Sequence, residues 1–440
     1  MIQQMHKRKE INPVDKKRTA WSDGYWFVRK QYLILLTILT VFAAYLVWDY
    51  RGPLEIPLQP DNACGLPAMR AKDLLVQGHD AEGNLWATRG MVAYRLAKGD
   101  NKFIRQYHVP TGFSIFWLRN FSIVRRLTLR PEAIELLPMP EGEACAMSAG
   151  HMWYRPPNGK DFKETLTLPH YGISTGQGVR NDGLIRLKDG TILLGEYFLN
   201  KDRTNVRIFS SKDNGKTWQV VYDFQPGQIM HIHSIQQDPY TGKIWVCTGD
   251  LDKESMVLWS NDGAKTLNPI GQGSQIWRVT QLVFTKDALF WGTDTLDNNV
   301  SGIYRWDRTT HKLTKLADVA KEMFYATRLA GGTIIMSTTS TVTGGYFIEN
   351  DETGLRIITE EKNITPLMCG TRGSERKYAK LRFQRDQDAA SLYITFLNHN
   401  EYNDGDLIVI PEEELRSVAE SSFAAAVIPA NTDTPENITR

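Results

Sequence analysis

The sequence predicts an all-β fold, a β-propeller of six or seven blades, preceded by a single transmembrane helix. Three observations carry that expectation: an uncharged apolar run near the N-terminus, a four-strand unit that recurs along most of the chain, and turn motifs at the same point of successive units. Composition agrees. The 440 residues hold 52 Lys and Arg against 50 Asp and Glu, a formal charge of +2, with 42% hydrophobic and 10% aromatic residues. That is globular, which excludes wholesale disorder and a coiled coil. Near-neutrality also removes the electrostatic basis for a nucleic-acid partner.

The charge is unevenly placed. Residues 1–30 carry eight Lys and Arg against Glu10, Asp15 and Asp23, a surplus of +5 that leaves −3 for the other 410 residues. Tyr32 to Trp48 then run without a charge, with aromatic residues at both ends. This reads as a membrane-spanning helix over 31–49 behind a basic cytoplasmic tail over 1–30. The run exceeds a usual signal h-region, no small-x-small cleavage site follows it, and it lacks the polar stripe of a buried core helix. The positive-inside rule places everything after about residue 50 in the periplasm, a lumen or the extracellular space. The lipid bilayer is therefore one expected partner, and other membrane proteins are a second.

Residues 50–74, with Pro53, Pro57 and Pro60, read as a Pro-rich linker. Cys64, Cys145, Cys247 and Cys369 are the four cysteines. An exported domain permits disulfides; Cys64 with Cys145 is the expected bridge, and Cys247, inside the apolar run IWVC, the expected buried thiol. No Cys-x-x-Cys spacing offers a thiolate zinc site.

The propeller is expected over 75–410. GLIRLKDGTILLGEY (183–197) is a strand, an Asp-Gly turn and a second strand, and SIQQDPYTGKIWVCTGD (234–250), QLVFTKDALFWGTD (281–294) and TRLAGGTIIMSTTS (327–340) repeat it. Their second strands centre on Ile192, Ile244, Leu289 and Ile334, spacings of 52, 45 and 45. Third and fourth strands follow each pair, as in VRIFSSKDNGKTWQVVYDF (206–224), and four short strands at this period describe a propeller blade. Residues 113–170 are the least regular. PEEELRSVAESSFAAAV (411–427) reads as a helix with three Glu in its first turn, leading to a loose tail that ends at 440.

Ser211-Lys212-Asp213-Asn214-Gly215-Lys216-Thr217-Trp218 matches the Asp-box S-x-D-x-G-x-T-W at every fixed position. Asp213 would cap the turn amides, Gly215 would take positive φ and Trp218 would pack between blades. A second copy 49 residues on, Ser260 to Leu267, keeps Ser260, Asp262 and Thr266 but moves the Gly and loses the Trp. On these residues the chain resembles the sialidase superfamily of Asp-box (BNR-repeat) propellers, most fully over 180–360. In that superfamily the boxes lie on the outer rim, so the resemblance implies a structural role for them.

A propeller site forms where inner strands converge on the channel. Superposing the units puts Arg180, His231 with His233, Arg278 and Tyr325 at the starts of first strands, and Glu196, Asp250 and Asp294 at the ends of second strands. As functional groups, Arg180, Arg278, His231 and His233 would bind substrate while Glu196, Asp250, Asp294 and Tyr325 would do the chemistry. Each has a plainer reading: turn caps for the carboxylates and structural ion pairs for the arginines. His231 and His233 share one strand face, a spacing that can chelate metal if another blade adds a ligand such as His170 or Asp250. Two histidines alone do not establish a metal, so no metal or other cofactor is expected. Trp277, Trp291, Tyr197 and Tyr325 could stack on sugars or pack between blades.

The sialidase resemblance implies an arginine triad for a substrate carboxylate, a Tyr/Glu nucleophile pair and an Asp acid/base. Arg180 sits where that family has the arginine of its Arg-Ile-Pro segment, but Asn181-Asp182 replace Ile-Pro. Arg278 would be a second arginine, and Tyr325 a nucleophile beside a carboxylate. The leading expectation is thus a membrane-anchored propeller that binds or hydrolyses an acidic polysaccharide or glycoconjugate. Two alternatives stand beside it: a non-enzymatic propeller scaffolding a membrane or envelope complex, and a metal-dependent lyase or esterase centred on His231 and His233.

Overall fold

The computed structural model describes residues 13–111, 118, 120–124, 134–170, 181–340, 351–360, 363–373 and 378–427. The chain divides after Gly52 into two units. The first contains helix α1 (Pro13–Arg51), which opens on proline, the residue that gives up no hydrogen bond at a first helical position. Within it Arg29–Arg51, 23 residues of mean hydropathy 1.9, is long and apolar enough to cross a membrane. Its two threonines return their hydroxyls to the helix: Thr37 Oγ1 donates to Leu33 O and Thr40 Oγ1 to Leu36 O, each at 2.8 Å. Neither threonine hydroxyl then needs water.

The described residues of the second unit form seven antiparallel sheets of four or five strands, the seven blades of a propeller. The innermost strands are, in blade order, Leu75–His79, Ile134–Pro138, Leu184–Arg186, His231–Gln237, Val283–Phe284, Ala326–Arg328 and Lys380–Phe383. Each is a sheet edge, and glutamines satisfy part of that edge. Gln236 of blade 4 donates to Leu282 O at 2.9 Å and accepts Leu282 N–H at 2.7 Å beside blade 5. Gln77 of blade 1 bridges Ile134 O and Leu136 N–H of blade 2 in the same way, at 3.2 and 3.0 Å. Amide side chains offer the donor and acceptor that a strand edge lacks.

The ring closes through the N-terminal residues, which corrects two expectations. Residues 50–74 are not a linker: Glu55–Pro57 pairs with Lys102–His108 at the rim of blade 1, while Leu66–Ala71 pairs with Asp406–Pro411 and carries Gln59–Ala63 as a fifth strand of blade 7. The prolines are tolerated because they sit on edges; Pro67 lies in the half of its strand that precedes the pairing of Met69–Ala71 with Leu407–Val409. The disulfide is Cys64–Cys369, not Cys64–Cys145, and joins this closing hairpin to the outer strand of blade 6 across a separation of 305 residues. Cys145 and Cys247 remain buried thiols.

Both Asp-containing turns have the expected geometry. Ser211 Oγ accepts Gly215 N–H at 2.8 Å, and Asp213 accepts Thr217 N–H at 2.9 Å and Thr217 Oγ1–H at 2.7 Å. Ser260, Asp262 and Thr266 repeat these bonds, with Ala264 at φ +64° where the first turn has Gly215 at φ +91°. Trp218 Nε1 donates to Thr165 Oγ1 of blade 2, so this indole does join neighbouring blades. At the C-terminus helix α2 (Glu412–Val427) docks Leu415 and Ala419 into the core between blades 6 and 7, and Glu412 accepts the N–H groups of Gly331 and Thr333.

Candidate functional site

The starts of the inner strands and the ends of the second strands meet at one mouth of the channel, and blades 4 and 5 bring five of the expected residues together there. His231 and His233 leave one strand on the same face, and Asp250 follows the partner strand Ile244–Gly249 of the same blade. The third group therefore comes from the histidines' own blade rather than another. His170, the other residue considered for it, stacks on Phe198 with ring centroids 4.6 Å apart.

The contacts are close. His231 Nε2 and His233 Nε2 are 3.2 Å apart, and lie 3.6 and 3.4 Å from Asp250 Oδ1. Arg278 Nη2 of blade 5 reaches the same oxygen at 3.2 Å, and its Nε lies 3.4 Å from Asp294 Oδ2. His231 Nδ1 faces Phe198 O at 3.1 Å and His233 Nδ1 faces Val279 O at 2.9 Å. Burial pulls the pKa of His231 down. For Arg278 burial is outweighed by Asp294 and Asp250 and then by Glu322, so its pKa lies above the ordinary value.

Glu196, Tyr325 and Trp277 are not brought to this group. In blades 5 and 6 the hydroxyls of Thr293 and Thr338 each accept a third-strand N–H at 2.9 Å, from Gly302 and Gly354. In blade 3 Glu196 Oε2 does the same for Arg207 N–H at 2.8 Å. Glu196 is thus the counterpart of those threonines, one residue out of register with Asp294, and one residue turns a strand side chain to the opposite face. Tyr197 takes the channel position, its ring 4.1 Å from that of His231. Tyr325 is buried in the core cluster of blades 6 and 7, near Phe383. Trp277 packs on Trp291 and over Gly271, and Trp291 is fully buried, so both indoles serve packing. Arg180 lies outside the described residues.

Glu196 shows that a perturbed pKa need not mark a site. Burial raises its pKa to about 7 despite the Arg207 N–H bond that lowers it, and among the described residues its Oε1 has no hydrogen-bond partner. A folded-state pKa raised above the unfolded value gives stability that is complete below pH ~4.5 and is lost as pH rises through about 7. Glu196→Gln keeps an acceptor for Arg207 and cannot ionise. Its unfolding free energy should match the parent at pH 5 and exceed it by roughly 1–3 kcal/mol at pH 9. Denaturant titration at the two pH values measures this; an equal effect at both would refute it.

Two further residues at the mouth carry no repeat signal. Glu322, in the connection from blade 5 to blade 6, and Tyr378, just before the inner strand of blade 7, interact electrostatically with each other and with Arg278, and Tyr378 also with Asp294 and Tyr197. Burial is the first cause raising the pKa of Tyr378, though its side chain stays 43% exposed. Among the described residues, two imidazoles, three carboxylates, a guanidinium and two phenols thus line an arc over blades 3 to 7.

No protein-family profile matches the sequence, and no curated protein matches it. Solved structures do. An oligogalacturonate lyase in complex with manganese superposes with a TM-score of 0.51 at 10% identity, over 81% of this chain and 97% of the lyase. YCF48 from Cyanidioschyzon merolae gives 0.47 at 9% identity, over 81% and 99%. A Penicillium chrysogenum α-L-arabinanase complexed with arabinobiose gives 0.36 at 15% identity, over 65% and 94%. Such identities establish fold and nothing finer: the chain is a seven-bladed β-propeller with an N-terminal apolar helix.

Proposed function

We propose that the chain is a single-pass membrane protein, its N-terminus cytoplasmic and its propeller on the other side, that binds an acidic glycan at this channel mouth. The observation that carries the reading is the convergence of Arg278, His231, His233, Asp250 and Asp294 from two adjacent blades on one partly open spot, where Arg278 is 23% and Asp250 28% exposed. Arg278 supplies a planar donor suited to a sugar carboxylate, and the imidazoles and carboxylates around it offer further hydrogen-bond partners for sugar hydroxyls. The two Ser-x-Asp turns with their shared hydrogen bonds support a sialidase-like ancestry, and the basic residues before the apolar run support the orientation. The lyase that shares the fold acts, by its name, on an oligogalacturonate.

Calorimetry on the full-length protein in nanodiscs tests the reading with uronate oligosaccharides and their neutral counterparts. The acidic series should bind more tightly, and Arg278→Ala should weaken it at least ~10-fold, the loss of about one charge-assisted hydrogen bond, measured at a temperature where the variant's melting curve shows it folded. Equal binding of acidic and neutral sugars, or no change in Arg278→Ala, would overturn it.

A further inference from the structure

We propose that His231 Nε2, His233 Nε2 and Asp250 Oδ1 hold a first-row divalent metal ion with its open side toward the channel. Hydrogen-bond bookkeeping comes first. A carbonyl oxygen only accepts, so the contacts of Nδ1 with Phe198 O and Val279 O place the ring hydrogen of each neutral imidazole on Nδ1. Both Nε2 atoms then present lone pairs, and they point at each other across 3.2 Å and at a carboxylate oxygen 3.4–3.6 Å away. Three acceptors facing one another repel unless a cation lies among them. A backbone carbonyl behind each imidazole is also the support that metal-bound histidines show, because it fixes tautomer and ring orientation.

The spacing fits. A point equidistant from three atoms separated by 3.2, 3.4 and 3.6 Å lies about 2 Å from each, and first-row ions bind imidazole nitrogen and carboxylate oxygen at about 2.0–2.2 Å. Two nitrogen donors favour zinc or another late first-row ion over calcium or magnesium, which take oxygen sets. The scaffold is built for close approach: a side chain at Gly249 would put its Cβ 2.5 Å from His233 Cε1 and 3.2 Å from Arg278 Cγ. Asp250 Oδ1 is further fixed by Arg278 Nη2.

Charge also points to an ion. Among the described residues Asp250 and Asp294 flank the one guanidinium of Arg278, a formal surplus of one negative charge. A divalent ion would offset that surplus and give a sugar carboxylate or hydroxyl an open coordination position beside Arg278. The role given to the ion rests on the glycan reading; the site rests on the geometry alone.

The test uses full-length protein in nanodiscs, stripped with chelator and dialysed into metal-free buffer, then titrated with MnCl2 or ZnCl2 alone. Calorimetry and elemental analysis should show one ion per chain. Asp250→Asn and His231→Gln should weaken it at least ~100-fold, while their metal-free melting profiles match the parent; His233→Ala should do the same if it folds. Less than a tenth of an equivalent bound, or equal binding in Asp250→Asn and His231→Gln, would overturn the site. A glycan arm separates the two readings. Tighter glycan binding to loaded than to stripped protein would support the ion's role, and identical binding would overturn that role while leaving the glycan reading. One bound ion with no glycan binding in either form would overturn the glycan reading and leave the metal site.

Discussion

Glu135→Ala should destabilise the propeller by about 3–5 kcal/mol, the range for removing one partner of a buried ion pair. Glu135 stands on the inner strand of blade 2 and meets Arg382 of blade 7 in a fork, Nη1 to Oε1 at 3.0 Å and Nη2 to Oε2 at 2.9 Å. Arg382 is 1% exposed, and Arg385 reaches the same carboxylate at 3.2 Å. Between them Gln77 of blade 1 receives Arg385 Nη2 at 3.3 Å, so one network ties blades 7, 1 and 2. Removing the carboxylate strips that compensation from a guanidinium held where water cannot reach it. Replacing both partners avoids this penalty, so Glu135→Met with Arg382→Met should cost less than the summed losses of Glu135→Met alone and Arg382→Met alone, a coupling of roughly 1–3 kcal/mol. Denaturant unfolding in detergent measures each. A loss below 1 kcal/mol in Glu135→Ala, or additive losses in the pair, would show that the fork adds nothing to ring closure.

Local regularities were legible in the sequence, and non-local pairings were not. The blade period, the Asp turns, the His-x-His alternation and the Arg278–Asp294 proximity all follow from strand spacing within one or two neighbouring units. Glu196 was misplaced because alignment by apolar strands tolerates a one-residue slip, and only the third-strand hydrogen bond shows that it replaces Thr293 and Thr338. Glu322 and Tyr378 sit in connections, which have no periodicity to read. Tyr325 looked like a channel residue because it begins an inner strand, but its side chain belongs to the cluster that holds Cys64, Cys369 and Phe383. The closure itself was hidden for a related reason. Leu66–Ala71 is a proline-marked strand whose partner Asp406–Pro411 lies more than 300 residues away; Gln59–Ala63 only adds to it as a local hairpin, and nothing local shows that this hairpin closes a ring.

That closure sets the second large expectation. Cys64→Ala with Cys369→Ala should lower unfolding free energy by about 2–5 kcal/mol, as for other native bridges, since loop-closure entropy for a 305-residue separation comes to roughly 5–6 kcal/mol. Spread over a propeller of this size, the loss is a fall in Tm of about 3–6 °C. The effect should be almost purely one of the unfolded chain, because the strands that close blade 7 keep their pairing with Asp406–Pro411 and Cys64 N–H keeps its bond to the Tyr402 hydroxyl at 3.3 Å. Thiol counting makes the comparison clean. Burial pushes the Cys145 and Cys247 thiols up to about 12, so neither competes for exchange in the folded state. Denatured without reductant, the parent should titrate two thiols, and four after reduction. Four thiols without reductant would mean that the bridge does not form where the chain folds. Two thiols with an unchanged Tm in the double variant would mean that the strand pairing alone holds the ring, with the bridge a marker of an oxidising compartment rather than a source of stability.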